Sequence, residues 1–300
     1  MGPLLQKFTG HRDCVYCLCP GTASGDFFSA GADGWVVQWN LERPEEGKLL
    51  ARMSGPIYAL FHLAERNELL VAVNNDGFHL LDLETGQEIW QLPFPGQKWF
   101  RMERHQDGIL CSGSEGWLAL FEPETRQTRT WRWGQRDLRA LAVHSNGQSF
   151  ALGNSAGEIQ LFSEPGIPSQ SLPALHQSTV FGLEYYPDGE RLVSCGRDAR
   201  LALWDLESLG FPKLEKEIPA HLFGIHDVKV HPQKPILATC SVDKTIKIWD
   251  AESVKLLRVL DKSRHAGHGH SVNQVCWLAE PEVLLTCSDD RTLSAWNIYS

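Results

Sequence analysis

One phrase recurs along the chain: a small or hydroxyl residue, a turn carrying Asp, alternating apolar residues, then Trp followed by Asp or Asn. It runs from Ser29 through Asp33 to Trp39-Asn40, and from Ser194 through Asp198 to Trp204-Asp205. It returns from Thr239 through Asp243 to Trp249-Asp250, and from Thr286 through Asp290 to Trp296-Asn297. In each copy the turn Asp precedes the Trp by six residues. Three weaker copies lie between the first two, ending at Leu81-Asp82, Phe121-Glu122 and Phe162-Ser163. The seven copies follow one another at intervals of 40 to 47 residues, a period that suits a four-stranded unit. Units of this kind pack on their neighbours, so 300 residues need not divide into two conventional domains.

Within each unit the apolar residues alternate with period two, which predicts strands. Turn signals separate them at Asp33-Gly34, Asp76-Gly77, Asn146-Gly147 and Asp188-Gly189. A Gly-His pair stands ahead of the first strand at Gly10-His11 and Gly269-His270, with looser forms at Leu175-His176 and Ala220-His221. With these residues the chain resembles the WD-repeat family over essentially its whole length. The resemblance implies an all-β fold, a seven-bladed β-propeller forming a single domain over 1–300. The expected blades are 9–53, 54–92, 93–133, 134–174, 175–219, 220–262, and 263–300 joined by 1–8. The C-terminal end supplies only three strands to the last blade. The segment 4–11, LLQKFTGH, resembles the fourth-strand segment 214–221, LEKEIPAH, so the N-terminal strand is expected to complete the last blade and close the ring.

The resemblance also implies a hydrogen-bonded set in each strong blade: His11, Ser29, Asp33, Trp39; His176, Ser194, Asp198, Trp204; His221, Thr239, Asp243, Trp249; and His270, Thr286, Asp290, Trp296. An indole N–H only donates, so a hydroxyl can accept from it and donate onward to His, whose other nitrogen faces the carboxylate. Such a set looks like a Ser-His-Asp triad. Its fourfold recurrence, with a Trp donor on each hydroxyl, makes it structural. At Leu81, Phe121 and Phe162 apolar packing is expected to replace it.

Other candidate sites fall away. Gly153-Asn154-Ser155-Ala156-Gly157 matches a hydrolase pattern that requires a strand-to-helix elbow, but here it lies between two strands. Cys14, Cys17 and Cys19 lack paired metal-ligand spacing, and Cys195, Cys240 and Cys287 share one repeat position, as small core residues would. His265 and His268 are read as part of a solvated loop. The arginines 126, 129, 132, 136 and 139 with Trp131 and Trp133 are read as an outer strand facing solvent. No metal and no cofactor is expected. A net charge of −9 disfavours nucleic acid, which demands a basic face. No apolar run is long enough to span a membrane, and eight Cys without a secretory leader fit a cytoplasmic, or nuclear, protein with free thiols. Met1-Gly2 carries no myristoylation signal, because Gln6 stands where Ser or Thr is required.

The expected function is therefore a non-catalytic protein-interaction scaffold, a monomeric propeller within a complex, binding a peptide or subunit on its face. Aligning the repeats places one residue per blade at the channel mouth: Tyr16, Tyr58, Phe100, Arg139, Phe181, His226 and Asn273, with Arg12, Lys98 and Arg197 nearby. Four of the seven are aromatic, which predicts an apolar or basic anchor on the partner rather than a phosphorylated one. The alternatives are an enzyme or cofactor-binding propeller using His226, Asp137 and Asp227 at the channel, or an RNA-associated subunit using the Arg-rich strand. Docking to a ubiquitin ligase is disfavoured, since Glu42, Glu207 and Glu252 occupy the position where that role is associated with Arg.

Overall fold

The inner strands of each sheet are buried on both sides, so Glu68–Val73 and Gly108–Gly113 are buried throughout rather than on alternate residues. In blade 1, Val37 and Trp39 pack with Phe8, Phe27 and Leu285, while Val36 and Ala30 on the opposite side pack with Ile57 and Val71 of blade 2. A sheet clamped between two others keeps polar residues out of both faces, so only the outer strands are wet. The computed structural model describes residues 3–106, 108–206 and 211–299; Met1-Gly2 and Glu207 lie outside the described residues. Its strands form seven antiparallel four-stranded sheets, and the fold is a seven-bladed β-propeller. Among the described residues no helix is long and apolar enough to cross a membrane.

Contacts group the chain into two compact units. The first comprises Met1–Trp99, Lys244–Ile246 and Val259–Ser300 and holds blades 1, 2 and 7. The first strands of these blades are Val15–Pro20, Ile57–Leu63 and Val272–Leu278, and the strand of blade 1 packs against both of the others. Blade 7 takes its fourth strand, Leu4–Thr9, from the N-terminus; it pairs antiparallel with Thr292–Trp296. Phe8 is wholly buried there, its ring edge-on to Phe27 at 5.0 Å and to Trp39 at 5.7 Å. Gly34, at φ +69°, turns the Asp33-Gly34 hairpin where a Cβ would sit 2.6 Å from the Met53 carbonyl oxygen.

The second unit, Phe100–Asp243 and Lys247–Arg258, holds blades 3, 4, 5 and most of 6. Their first strands are Trp99–His105, Leu138–Val143, Val180–Tyr185 and Ile225–Val230. Successive blades share apolar layers, such as Leu120 with Phe150, Ala151 with Trp204, and Leu203 with Trp249. Leu81 in the first unit and Phe121 and Phe162 here fill the Trp position as buried residues, and Phe162 stacks on Phe150 at 4.8 Å. The outer-strand expectation holds only in part: Arg129 and Arg132 lie on the outermost strand of blade 3, Gln127–Arg132, and pair with Glu122 and Glu115, whereas Arg126 and Arg136 lie in the flanking turns and Arg139 on the first strand of blade 4.

Candidate docking site

Three of the hydrogen-bonded sets form with near-identical geometry. In blade 1, Trp39 Nε1–H donates to Ser29 Oγ at 2.8 Å, and Ser29 lies 2.7 Å from His11 Nε2. His11 Nδ1 reaches Asp33 at 2.9 Å. The network assigns the tautomer: Nδ1–H faces the carboxylate, so Nε2 accepts from the hydroxyl. Blades 5 and 6 repeat it through Trp204, Ser194, His176 and Asp198, and through Trp249, Thr239, His221 and Asp243. The hydroxyls, indoles and imidazoles are buried, which commits them to structure.

In blade 7 the histidine is His268, not His270. His268 Nε2 lies 2.8 Å from Thr286 Oγ1, and its Nδ1 lies 3.2 Å from Asp290. The reason is spacing: His precedes Asp by 22 residues in all four sets. Both Gly-His pairs in AGHGH match by eye, but only His268 has that interval; His270 is exposed. The Asp also pins the loop after its His, accepting backbone N–H bonds from Arg12, Gln177, Leu222 and Gly269.

Burial opposes ionisation of Asp33, Asp198 and Asp290, yet bonds from the imidazole and backbone N–H groups outweigh it and hold all three below the usual carboxylate range. A carboxylate depressed in the fold stabilises it above its unfolded pKa, and this contribution disappears as pH falls through the folded pKa. Urea melts are therefore expected to show level stability above about pH 5 and a decline below about pH 4 from these groups. Replacing the three by Asn should lower stability at neutral pH and flatten the acid limb. An unchanged acid limb would remove these aspartates as its cause.

Six of the seven aligned residues share a backbone feature that alternation does not reveal. Pairing between first and second strands slips at Tyr16, Tyr58, Arg139, Phe181, His226 and Asn273, each the second residue of its strand. Each is the extra residue of a β-bulge, a device that re-aims a side chain out of the ladder. After Phe181, Gly182 leaves room for Cys195 Sγ, which would lie 2.6 Å from a Cβ.

The side chains engage one another within each unit. In the first, Tyr16 and Tyr58 stack at 4.6 Å, and Asn273 Nδ2–H bonds the Val15 carbonyl and Asp289. In the second, Phe181 meets His226 edge-on at 5.6 Å, while the Arg139 guanidinium lies 4.0 Å from the Phe100 ring centroid and 5.4 Å from that of Phe181. This corrects two expectations. Phe100 is buried, 5% exposed, with the Arg139 guanidinium over its ring. The aromatic faces of Phe100 and Phe181 already hold a cation, so they offer little to a basic anchor.

The catalytic alternative finds its carboxylates otherwise employed. Asp227, 2% exposed, pairs with Arg101 at 3.1 Å, and Asp137 accepts the Glu115 N–H. Arg101 also donates to the carbonyls of Phe181 and His226, reaching from the first strand of blade 3 to those of blades 5 and 6. Beside it Lys229 Nζ bonds Glu184 at 2.7 Å and Glu103 at 3.3 Å. Burial pushes the Glu184 carboxyl above the usual carboxylate range, against the pull of Lys229. Ser155 occupies a hairpin turn whose amides are capped by Asn154 Oδ1. All eight Cys are free thiols, and among the described residues no His, Cys, Asp and Glu cluster could hold a metal.

Sequence reading missed the most exposed apolar residues of this end of the fold. The tetrad loop of blade 6 continues as Leu222-Phe223, 83% and 61% exposed, where the corresponding loops begin with Arg12, Gln177 and Gly269. Val242 is also exposed and its N–H bonds the Gly224 carbonyl, while Ser241 Oγ–H bonds that of Phe223. These bonds tie the backbone of the Leu222-Phe223 loop to that of the turn carrying Val242.

The WD domain, G-beta repeat, model matches residues 2–40, 168–205, 212–250 and 257–297, just over half of the chain. The chain belongs to the WD-repeat family. It is similar to the striatin homolog of Dictyostelium discoideum, 25% identical over 77% of this chain and 26% of that protein. It is similar also to human striatin, 24% identical over 77% of this chain and 33% of striatin. WD repeat-containing protein 90 of Xenopus tropicalis is 33% identical over 68% of this chain and 12% of its own length. The chain thus spans a third or less of these relatives.

Proposed function

We propose that the protein is a non-catalytic interaction scaffold that docks a protein partner through an apolar anchor on the tetrad-loop end of blade 6. The observation that carries this reading is the exposure of Leu222, Phe223 and Val242 on two backbone segments tied together by tetrad and turn hydrogen bonds. Apolar side chains held in water on a rigid loop gain from burial without a large ordering cost, which is the physics of an interface hot spot. Exposed Arg197, whose backbone lies beside Gly224 of the same loop, gives the patch a basic edge. In the first unit the Tyr16–Tyr58 stack is a half-buried aromatic surface of similar character. Anchoring by a basic group is not part of this reading, given Arg139.

The test is affinity capture of the native protein followed by mass spectrometry, repeated with Leu222→Ser/Phe223→Ser. The double variant should lose a specific protein partner at least tenfold, about 1.4 kcal/mol, with an unchanged melting temperature. Full recovery of the same partners by the variant would remove this patch as the anchor site.

A further inference from the structure

The His-rich segment that contributes His268 to its tetrad leaves His270 outside it, and His270 has a second setting. It lines an open pocket of about 530 Å³ in the first unit, together with Lys7, Lys262, Gly269, Arg291, Thr292 and the Asp289-Asp290 pair. These residues come from three separate segments: the N-terminal strand, the short helix Lys262–His265 with its following loop, and the hairpin between the last two strands of the chain.

The charges in this pocket are unevenly satisfied. Asp290 accepts from His268, from the Gly269 and Thr292 N–H groups and from the Thr292 hydroxyl, and Asp289 accepts from Asn273. Both carboxylates are thus turned toward internal donors. Lys7, Lys262 and Arg291, by contrast, have no carboxylate at ion-pair distance among the described residues. The arginines of the outer strand of blade 3 behave differently, since Arg129 and Arg132 each pair with a glutamate. Gly269 keeps the pocket floor low: a Cβ there would lie 3.3 Å from Lys262 Nζ, so the ammonium rests over bare backbone.

We propose that this pocket is an anion site that takes a phosphate monoester. Three cations converge from different elements on a space large enough for a phosphate and its ester carbon. A compact dianion can accept from two ammonium groups and a guanidinium at once, which a single carboxylate does less well. His270 stands at the same wall as a further N–H donor. The site is separate from the apolar patch of blade 6, so either can fail without the other.

Isothermal titration with N-acetyl-phosphoserine amide is expected to show one saturable site, and N-acetyl-serine amide none. Lys262→Gln/Arg291→Gln should weaken binding at least tenfold, about 1.4 kcal/mol, at an unchanged melting temperature, while Arg129→Gln/Arg132→Gln retains it. A phosphoserine peptide library then separates sources. Peptides binding at least tenfold better than the capped amino acid assign a phosphorylated protein, and parity assigns a small phosphate ester. Absence of saturation up to about 10 mM, or equal losses in both double variants, would overturn the site.

Discussion

Deleting the N-terminal strand through Thr9 is expected to lower the melting temperature by roughly 10 °C or more, or to render the protein insoluble. The strand contributes an entire ladder to blade 7, with Lys7, Phe8 and Thr9 opposite Ser294, Leu293 and Thr292. It also contributes Phe8, whose fully buried ring fills the space between blades 7 and 1 against Phe27 and Trp39. Truncating one such phenylalanine to Ala costs about 3–5 kcal/mol by itself. Deletion would further expose the edge of Thr292–Trp296, a template for pairing with another chain. Scanning calorimetry with size-exclusion chromatography reads both effects, and Phe8→Ala separates the packing loss from the edge exposure. A truncated protein that melts within a degree or two of the full chain and stays monodisperse would show that the last blade is held without its fourth strand.

Replacing Arg101 by Leu is expected to cost about 3–5 kcal/mol, the toll of leaving a buried carboxylate without its partner. Asp227 would lose that partner, and the carbonyls of Phe181 and His226 would each lose a donor. The double variant Arg101→Leu/Asp227→Leu should regain part of the loss, because two apolar residues in place of a buried ion pair are commonly tolerated. Chemical denaturation of the two variants side by side decides the matter. If Arg101→Leu unfolds at the same denaturant concentration as the parent, the arginine is not a brace between blades 3, 5 and 6.

How much of this was legible beforehand depended on the range of each interaction. The strands and tetrads were written locally, because a turn Asp six residues before a Trp fixes a hairpin and its acceptor together. The choice of His268 over His270 was also present, as the 22-residue interval shared with His11, His176 and His221, but a dipeptide match hides an interval. Arg101 was not legible at all. Its partners lie 80 and 125 residues away, in strands whose own patterns are satisfied without it. The aromatic positions were placed correctly at the starts of the first strands, yet their exposure was misjudged at Phe100, because the cover comes from Arg139 in the next blade. Leu222-Phe223 gave no signal, since a sequence does not say that a hydrogen-bonded loop holds them in water.

The bulges at the second residue of six first strands carry an evolutionary consequence. A residue excluded from the ladder can be exchanged without shifting the register of the strand behind it. Tyr16, Tyr58, Arg139, Phe181, His226 and Asn273 therefore behave as interchangeable type set in a fixed frame. The frame is stabilised by the tetrads and the apolar layers, while these six letters, which touch in pairs within each unit, can be reset in small groups. New recognition can then be reached by stepwise substitution, each intermediate keeping the folded frame.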